Sequence, residues 1–253
     1  MRKLPLRLYA VAFGAWSCLF FAACGLDQVY LLEPPTAILH NVYVDTDSPA
    51  QWYVEFITND TGNAAYYPSR GNSFVFLGTE IYYKIYNNKN TLQSHKNSIN
   101  SVNTASYYSE AASRMITTYH YQTLGLKPEL GWTPFVGCDE TGNKRVYIRL
   151  TDVAPDGNTE TFKAGVKFND TDKNVVPYRN GSRYSFDFFN KAQENPRVTN
   201  VQPSNGDADY YHSNSDDGKY YVQLYAVAVG RDSNYTPSYS RVLDLGVIPI
   251  LDQ

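Results

Sequence analysis

Cysteine is scarce. Three copies, Cys18, Cys24 and Cys138, occur in 253 residues, too few for the disulfide framework that holds small secreted scaffolds together. The four histidines, His40, His95, His120 and His212, are scattered, without the spacing of a metal site. No Gly-x-Ser-x-Gly elbow, His-Glu-x-x-His, P-loop or dinucleotide fingerprint occurs, so hydrolase, zinc and nucleotide readings have no motif behind them. Charge of one sign is not concentrated anywhere, and the net charge is only −3. A nucleic-acid partner, which needs a basic stripe, is therefore not expected. The longest apolar run, Leu8 to Phe21, is shorter than the roughly 20 residues a spanning helix requires.

That run is nevertheless the most informative stretch. Arg2, Lys3 and Arg7 precede it, and Phe21-Ala22-Ala23-Cys24 closes it. Cations followed by an apolar segment and small residues make a secretory signal, and small residues leading into a cysteine make a lipobox. The expectation is a signal peptide over 1–23, lipid on Cys24, and a lipidated tether over 24–34. A plain signal cut after Ala23 is the competing reading. Each buried methylene contributes about 0.8 kcal/mol, so two or three acyl chains would hold the protein firmly on a membrane. On this reading Cys18 leaves with the signal and Cys24 is consumed, leaving Cys138 as a buried small hydrophobe. No cofactor is expected beyond the covalent lipid.

Tyrosine is what the chain has in abundance, with 23 copies. It suits pleated, half-buried surfaces, so the bias points to a β protein. Strand-like segments agree: Thr36–Val44, Trp52–Ile57, Phe74–Leu77 followed by Glu80–Tyr86, Arg145–Leu150, Thr161–Phe168, Tyr184–Phe189, Arg197–Val201, Tyr220–Ala228 and Ser240–Ile250. Between Thr91 and Lys127 the spacing changes to threes and fours. This predicts a polar loop to about Asn103 and one helix from about Thr104 to Tyr119, plugging an end of the sheets.

Tyr220-x-Val222-x-Leu224-x-Ala226, a polar turn, Pro237 and Ser240 resemble the last two strands of a fibronectin type III domain. Pro35 before the first strand, Trp52 on the second and Tyr82-Tyr83-Lys84-Ile85 on the third are similar to the opening half. The resemblance covers residues 34–87 and 197–250. It implies an antiparallel β-sandwich of the fibronectin type III/immunoglobulin kind, with Trp52 between the sheets and the Tyr220 hydroxyl bonded back to the preceding turn. The expected organisation is a single sandwich over 35–253 with an insertion at about 91–183 that carries the helix and extra strands; two packed sandwiches are the alternative. The amino terminus also resembles bacterial lipoproteins, and the Tyr-rich composition is similar to that of spirochaetal lipoproteins. Gly25 in place of Asp then implies sorting to the outer membrane or cell surface.

Three functions are compatible with such a chain. The first is a non-catalytic, lipid-anchored binding protein whose partner meets its loops. The second is a carbohydrate-binding module, in which the pairs Tyr66-Tyr67, Tyr107-Tyr108 and Tyr210-Tyr211 stack on sugar faces. The third is an enzyme built on a carboxylate pair, for which any Asp or Glu qualifies. Asp207, Asp209, Asp216 and Asp217 are hard-oxygen candidates for calcium, although the run lacks the closing glutamate of a helix-loop-helix site.

Overall fold

In a computed structural model of the chain, the described residues are 31–46, 48–66, 74–125, 134–153, 161–179, 184–188 and 201–250. The expected signal peptide, Cys24 and Tyr67 lie outside them. Strands hold 39% of the described residues and helices 18%, so the protein is mainly β. Residues Leu31–Gln253 form one compact unit.

Eleven strands are described: β1 (Ala37–His40), β2 (Val54–Ile57), β3 (Phe74–Tyr86), β4 (Gln122–Thr123), β5 (Val136–Gly137), β6 (Arg145–Arg149), β7 (Gly165–Phe168), β8 (Thr171–Asp172), β9 (Tyr210–Tyr211), β10 (Tyr220–Asp232) and β11 (Pro237–Ile250). One sheet runs β1-β2-β6-β7-β8 and the other β11-β10-β3-β4. All pairings between these strands are antiparallel except that of β9, which adds to β3 in parallel through Ile85↔Tyr210 and Tyr86↔Tyr211. β4, β5 and β9 lie one after another along the same edge of β3. Short pieces in that position blunt an edge that would otherwise pair with another chain.

Period-two patterning explains why the sheets face each other. Val54 and Phe56 on β2, Val146 and Ile148 on β6, and Val166 on β7 meet Ile81, Tyr83 and Ile85 on β3 and Val222, Leu224 and Ala226 on β10 in one core. Trp52 is buried there, and its indole Nε1 donates to the Thr46 carbonyl at 2.9 Å. The alternate residues of the second sheet are buried as well. Tyr82, Tyr86, Tyr221, Tyr225 and Val227 form a second core with Leu92, Ile99, Ala111, Ala112 and Met115. Those partners come from helical segments, so the order of layers is sheet, sheet, helices.

The helices depart from the sequence expectation. α1 spans Asp60–Tyr66, α2 Lys89–Asn100 and α3 Glu110–Ser113, the last running on into a π-helical turn over Arg114–Thr118. The longest helix thus occupies the stretch expected to be a polar loop, while the expected helix over 104–119 is broken into a 3-10 turn, one α turn and the π turn. α2 forms because Asn88 caps it, its Oδ1 accepting from the Thr91 amide at 2.9 Å, and because Leu92 and Ile99, seven residues apart, anchor one face.

Two further expectations change. The strands expected within 91–183 include β6 and β7, and they are inner strands of the first sheet and not additions to it, so that stretch helps build the sandwich. Residues 184–188 are not a strand; Phe186 and Phe188 are buried as core plugs. Most of the expected strand 197–201 lies outside the described residues.

Two glycines allow backbones to approach. Gly78, at φ +136°, lies where an added Cβ would stand 2.1 Å from the Val136 carbonyl; Gly246, at φ +100°, would place one 2.3 Å from that of Val42. The second contact is where the chain after β1 leaves the first sheet and bridges to β11, with Val247 N donating to Val42 O at 2.8 Å.

The strand directions give the molecule two distinct ends. β1 begins beside the end of β2, β3 begins beside the end of β10, and β11 begins there too. The amino-terminal residues Leu31–Thr36, α1 and the β10–β11 turn share this end, which we call the tether end. At the far end are the last residues of β3, the start of α2, β9, and the segment carrying Tyr43 and Asp45, which pairs with Lys89.

Candidate functional site

The far end is assembled by residues 201–219, which carry several of the side chains singled out from sequence. Tyr210 and Tyr211 form β9, and period two sends them to opposite faces. Tyr211 lies over the helix side, its ring 4.9 Å from that of His95 and 6.0 Å from Tyr86. His95, on α2, stacks on Tyr119 at 4.2 Å and 29°. Beneath them His95 Nδ1 lies 3.1 Å from the Tyr86 hydroxyl, which donates to the Tyr121 hydroxyl at 3.2 Å. Burial, with the nearby Lys84 ammonium adding to it, pushes the His95 pKa down and favours the neutral imidazole. Tyr211 is exposed, and His95 and Tyr119 are half-buried, so this ring cluster reaches solvent.

Tyr210 turns to the other side. Its ring is 5.9 Å from Tyr220 and 6.0 Å from His212, and burial first, then Tyr220 and Asp216, push its pKa up to about 12. The ring of Tyr220 rests edge-on against Phe188 at 5.1 Å.

Below β9 lies a buried ionic network. Arg179 grips Asp209 with both arms, Nε to Oδ2 at 2.6 Å and Nη2 to Oδ1 at 2.7 Å, and Nη2 also donates to Asp207 Oδ2 at 2.7 Å. The Tyr83 hydroxyl donates to Asp209 Oδ2 at 2.7 Å, while Lys84 Nζ donates to the Ala208 carbonyl at 2.8 Å. Burial opposes the charge on Arg179, but its bonds to Asp209 and Asp207 outweigh that and leave its pKa raised. Asp207 and Asp209 are therefore partners of a guanidinium. Asp217 instead caps a helix, with its Oδ2 accepting the Lys89 amide at 2.7 Å at the start of α2 and its Oδ1 accepting from Asn88 Nδ2 at 3.2 Å. Asp216 Oδ1 accepts the Gly218 amide at 2.8 Å in a local turn. The four candidate calcium ligands thus divide among an ion pair, a helix start and a turn. Among the described residues, no group of three or more His, Cys, Asp or Glu is placed to hold a metal ion.

The other sequence candidates lie elsewhere. Tyr66 ends α1, and Tyr67 lies outside the described residues. Tyr107 is exposed, and the hydroxyl of half-buried Tyr108 donates to the Leu32 carbonyl. Cys138 is half-buried, not buried, and its thiol is pushed up to about 11 by burial and then by the Asp60 and Glu140 carboxylates, which makes it a poor nucleophile.

The solvent-facing side of the first sheet carries residues no sequence signal singled out. His40 stacks on Tyr53 at 4.0 Å, Tyr53 lies 4.9 Å from Tyr147, and Lys167 Nζ stands 5.5 Å over Tyr147. Arg149 is almost fully buried among them, donating to the Pro49 and Ala50 carbonyls at 3.1 and 2.8 Å. His40 and Tyr53 lie face to face and Tyr147 is tilted by 30° against Tyr53, so the rings cover part of one another and each is half-buried. Alternation along β2 and β6 would have placed Tyr53 and Tyr147 on one face, but not the stacking.

The fold and this ring cluster define a mainly β protein of two antiparallel sheets backed by helices. The chain matches no family model, no curated protein and no solved structure.

Proposed function

We propose that the protein is a non-catalytic binding module held in the cell envelope by lipid on Cys24, with its ligand contacted at the far end. The observation that carries this reading is the His95–Tyr119–Tyr211 cluster, in which half-exposed aromatic rings are fixed by buried hydroxyls beneath them and carried on the middle of capped α2, on the residue that follows the π turn, and on β9. Rings that are amphipathic and already ordered lose little freedom on contact, which makes such clusters good anchors for a partner. The strand order β1-β2-β6 against β11-β10-β3-β4 supports a fibronectin type III-like scaffold, with β7 and β8 extending the first sheet and the helices backing the second.

A protein ligand fits better than a sugar. Sugar stacking uses ring faces laid side by side, whereas His95 and Tyr119 lie face to face and Tyr211 meets His95 at 89°. A partner there meets edges and hydroxyls. The test is site-specific photo-crosslinking in cells, with benzoylphenylalanine at position 211 and, for comparison, at position 235. A discrete protein adduct at 211, absent at 235 and lost when His95→Ala and Tyr119→Ala are combined, is the expected result. Equal adducts at both positions, or none at 211, would contradict the reading.

A further inference from the structure

The tether end carries large apolar side chains that the fold leaves in water: Leu31 is 45% exposed, Val75 52%, Tyr107 59% and Tyr235 72%. Topology, not sequence, brings them there. Leu31 opens the compact unit, Val75 sits opposite Arg231 at the end of the β3–β10 ladder, and Tyr235 occupies the β10–β11 turn. Tyr107 precedes Tyr108, whose hydroxyl donates to the carbonyl of Leu32.

Tyr235 is the most exposed of these and has the least structural reason to be tyrosine. Its backbone is left-handed, φ +64°, a conformation in which glycine or asparagine would fit with less strain. The turn itself is made by its neighbours: Asp232 Oδ1 accepts the amides of Asn234 and Thr236, each at 2.8 Å. The ring makes one cation–π contact, with the Arg231 guanidinium carbon 4.7 Å from its centroid. An aromatic ring beside a guanidinium, at the tip of a hairpin, has the chemistry of residues that settle at the level of lipid headgroups.

Chain length says what surface lies within reach. Leu31 is seven residues after Cys24, and at about 3.5 Å per residue the tether spans no more than about 25 Å. β3, β10 and β11 run the length of the molecule for 13, 13 and 14 residues, about 40 Å at roughly 3.3 Å per residue. With lipid on Cys24, the tether cannot hold the far end at the bilayer without the tether end also lying nearby.

We infer that the tether end docks on the phospholipid bilayer, with Tyr235 and Val75 entering the headgroup region beside Leu31, so that the sandwich stands upright and presents its far end outward. This rests on the reading of Cys24 as the lipid carrier. The test uses the full mature protein, extracted from membranes, its mass measured, and reconstituted into phosphatidylethanolamine/phosphatidylglycerol vesicles with or without brominated acyl chains. Tyr235→Trp and, separately, Val75→Trp place a reporter at the tether end, and Tyr43→Trp places one at the far end. Expected is a loss of about half of the added emission at 235 and at 75 in brominated vesicles, with little change at 43. Equal quenching at all three positions, or none at 235 and 75 in protein whose mass includes the lipid, overturns the docking while leaving the anchor intact. A mass lacking the lipid overturns the anchor, and with it the tether on which docking depends.

Discussion

Glu80 shows how strongly a single position can carry pH dependence. It is buried on the helix side of β3, where its Oε1 accepts the Phe135 amide at 3.3 Å, and burial pushes its pKa up to about 8 against the pull of hydrogen bonds from Phe135 and Ile81. In the unfolded chain the group ionises near 4.5. The folded state therefore holds the proton more tightly, and the stability this contributes is complete below about pH 4.5 and is lost as pH rises through 8. Glu80→Gln is expected to remove that slope, raising the Tm at pH 8 by a few degrees relative to the parent and changing it little at pH 5; thermal unfolding across pH checks this. Arg179 gives a second expectation. Removing one member of a buried, doubly bonded ion pair leaves uncompensated charge, so Arg179→Met should lower unfolding free energy by about 3–5 kcal/mol in urea titrations. The pairing of Arg179 with Asp207 and Asp209 was not legible in sequence, because 28 and 30 residues separate the partners and no local pattern encodes such closure. Tyr210 and Tyr211 could be singled out as an aromatic pair. Their separation onto two faces was knowable only once β9 was seen to be a strand.

Elements with strong alternation were the readable ones. β3 and β10 bury nearly every residue through most of their length, on both faces, and β11 does so over its last six residues, and their Val, Ile and Tyr content gives them away. α2 was hidden for the opposite reason: in Lys-Asn-Thr-Leu-Gln-Ser-His-Lys-Asn-Ser-Ile-Asn, only Leu92 and Ile99 are buried. Its start depends on side chains far apart in sequence, since Asp217 accepts the Lys89 amide. Asn88→Ala is expected to cost about 1 kcal/mol and to speed amide exchange in the first turn of α2, with Asp217→Ala acting at the same place. Because His95 rides on α2, the same substitutions should weaken any adduct formed at position 211. Hydrogen exchange and crosslinking on one set of variants would tie the helix start to the ring cluster. The break of the expected helix 104–119 into α3 and a π turn also has a local sign, since Tyr121 donates its amide back to the Met115 carbonyl at 3.1 Å and His120 adopts φ +53°.

At the scale of the molecule, the sheets hold two unlike ends apart. One end receives the chain beside exposed apolar side chains, and the other gathers histidine and tyrosine rings over a hydroxyl network. On the proposed reading, β3, β10 and β11, which run from one end to the other, would space the lipid anchor from the contact. The mainly β class was readable from composition and alternation, but the strand order was not, because β6 lies among residues that looked like an insertion. On the proposed reading, this polarity begins at Cys24. It is tested most directly by intact mass spectrometry of the protein extracted from the membranes of the cells that make it. Expected is a chain beginning at Cys24 and carrying the added mass of a diacylglyceryl group, with Cys24→Ala found outside the membrane fraction. A mature chain beginning elsewhere and free of lipid, or a Cys24→Ala protein that stays in the membrane, would contradict it.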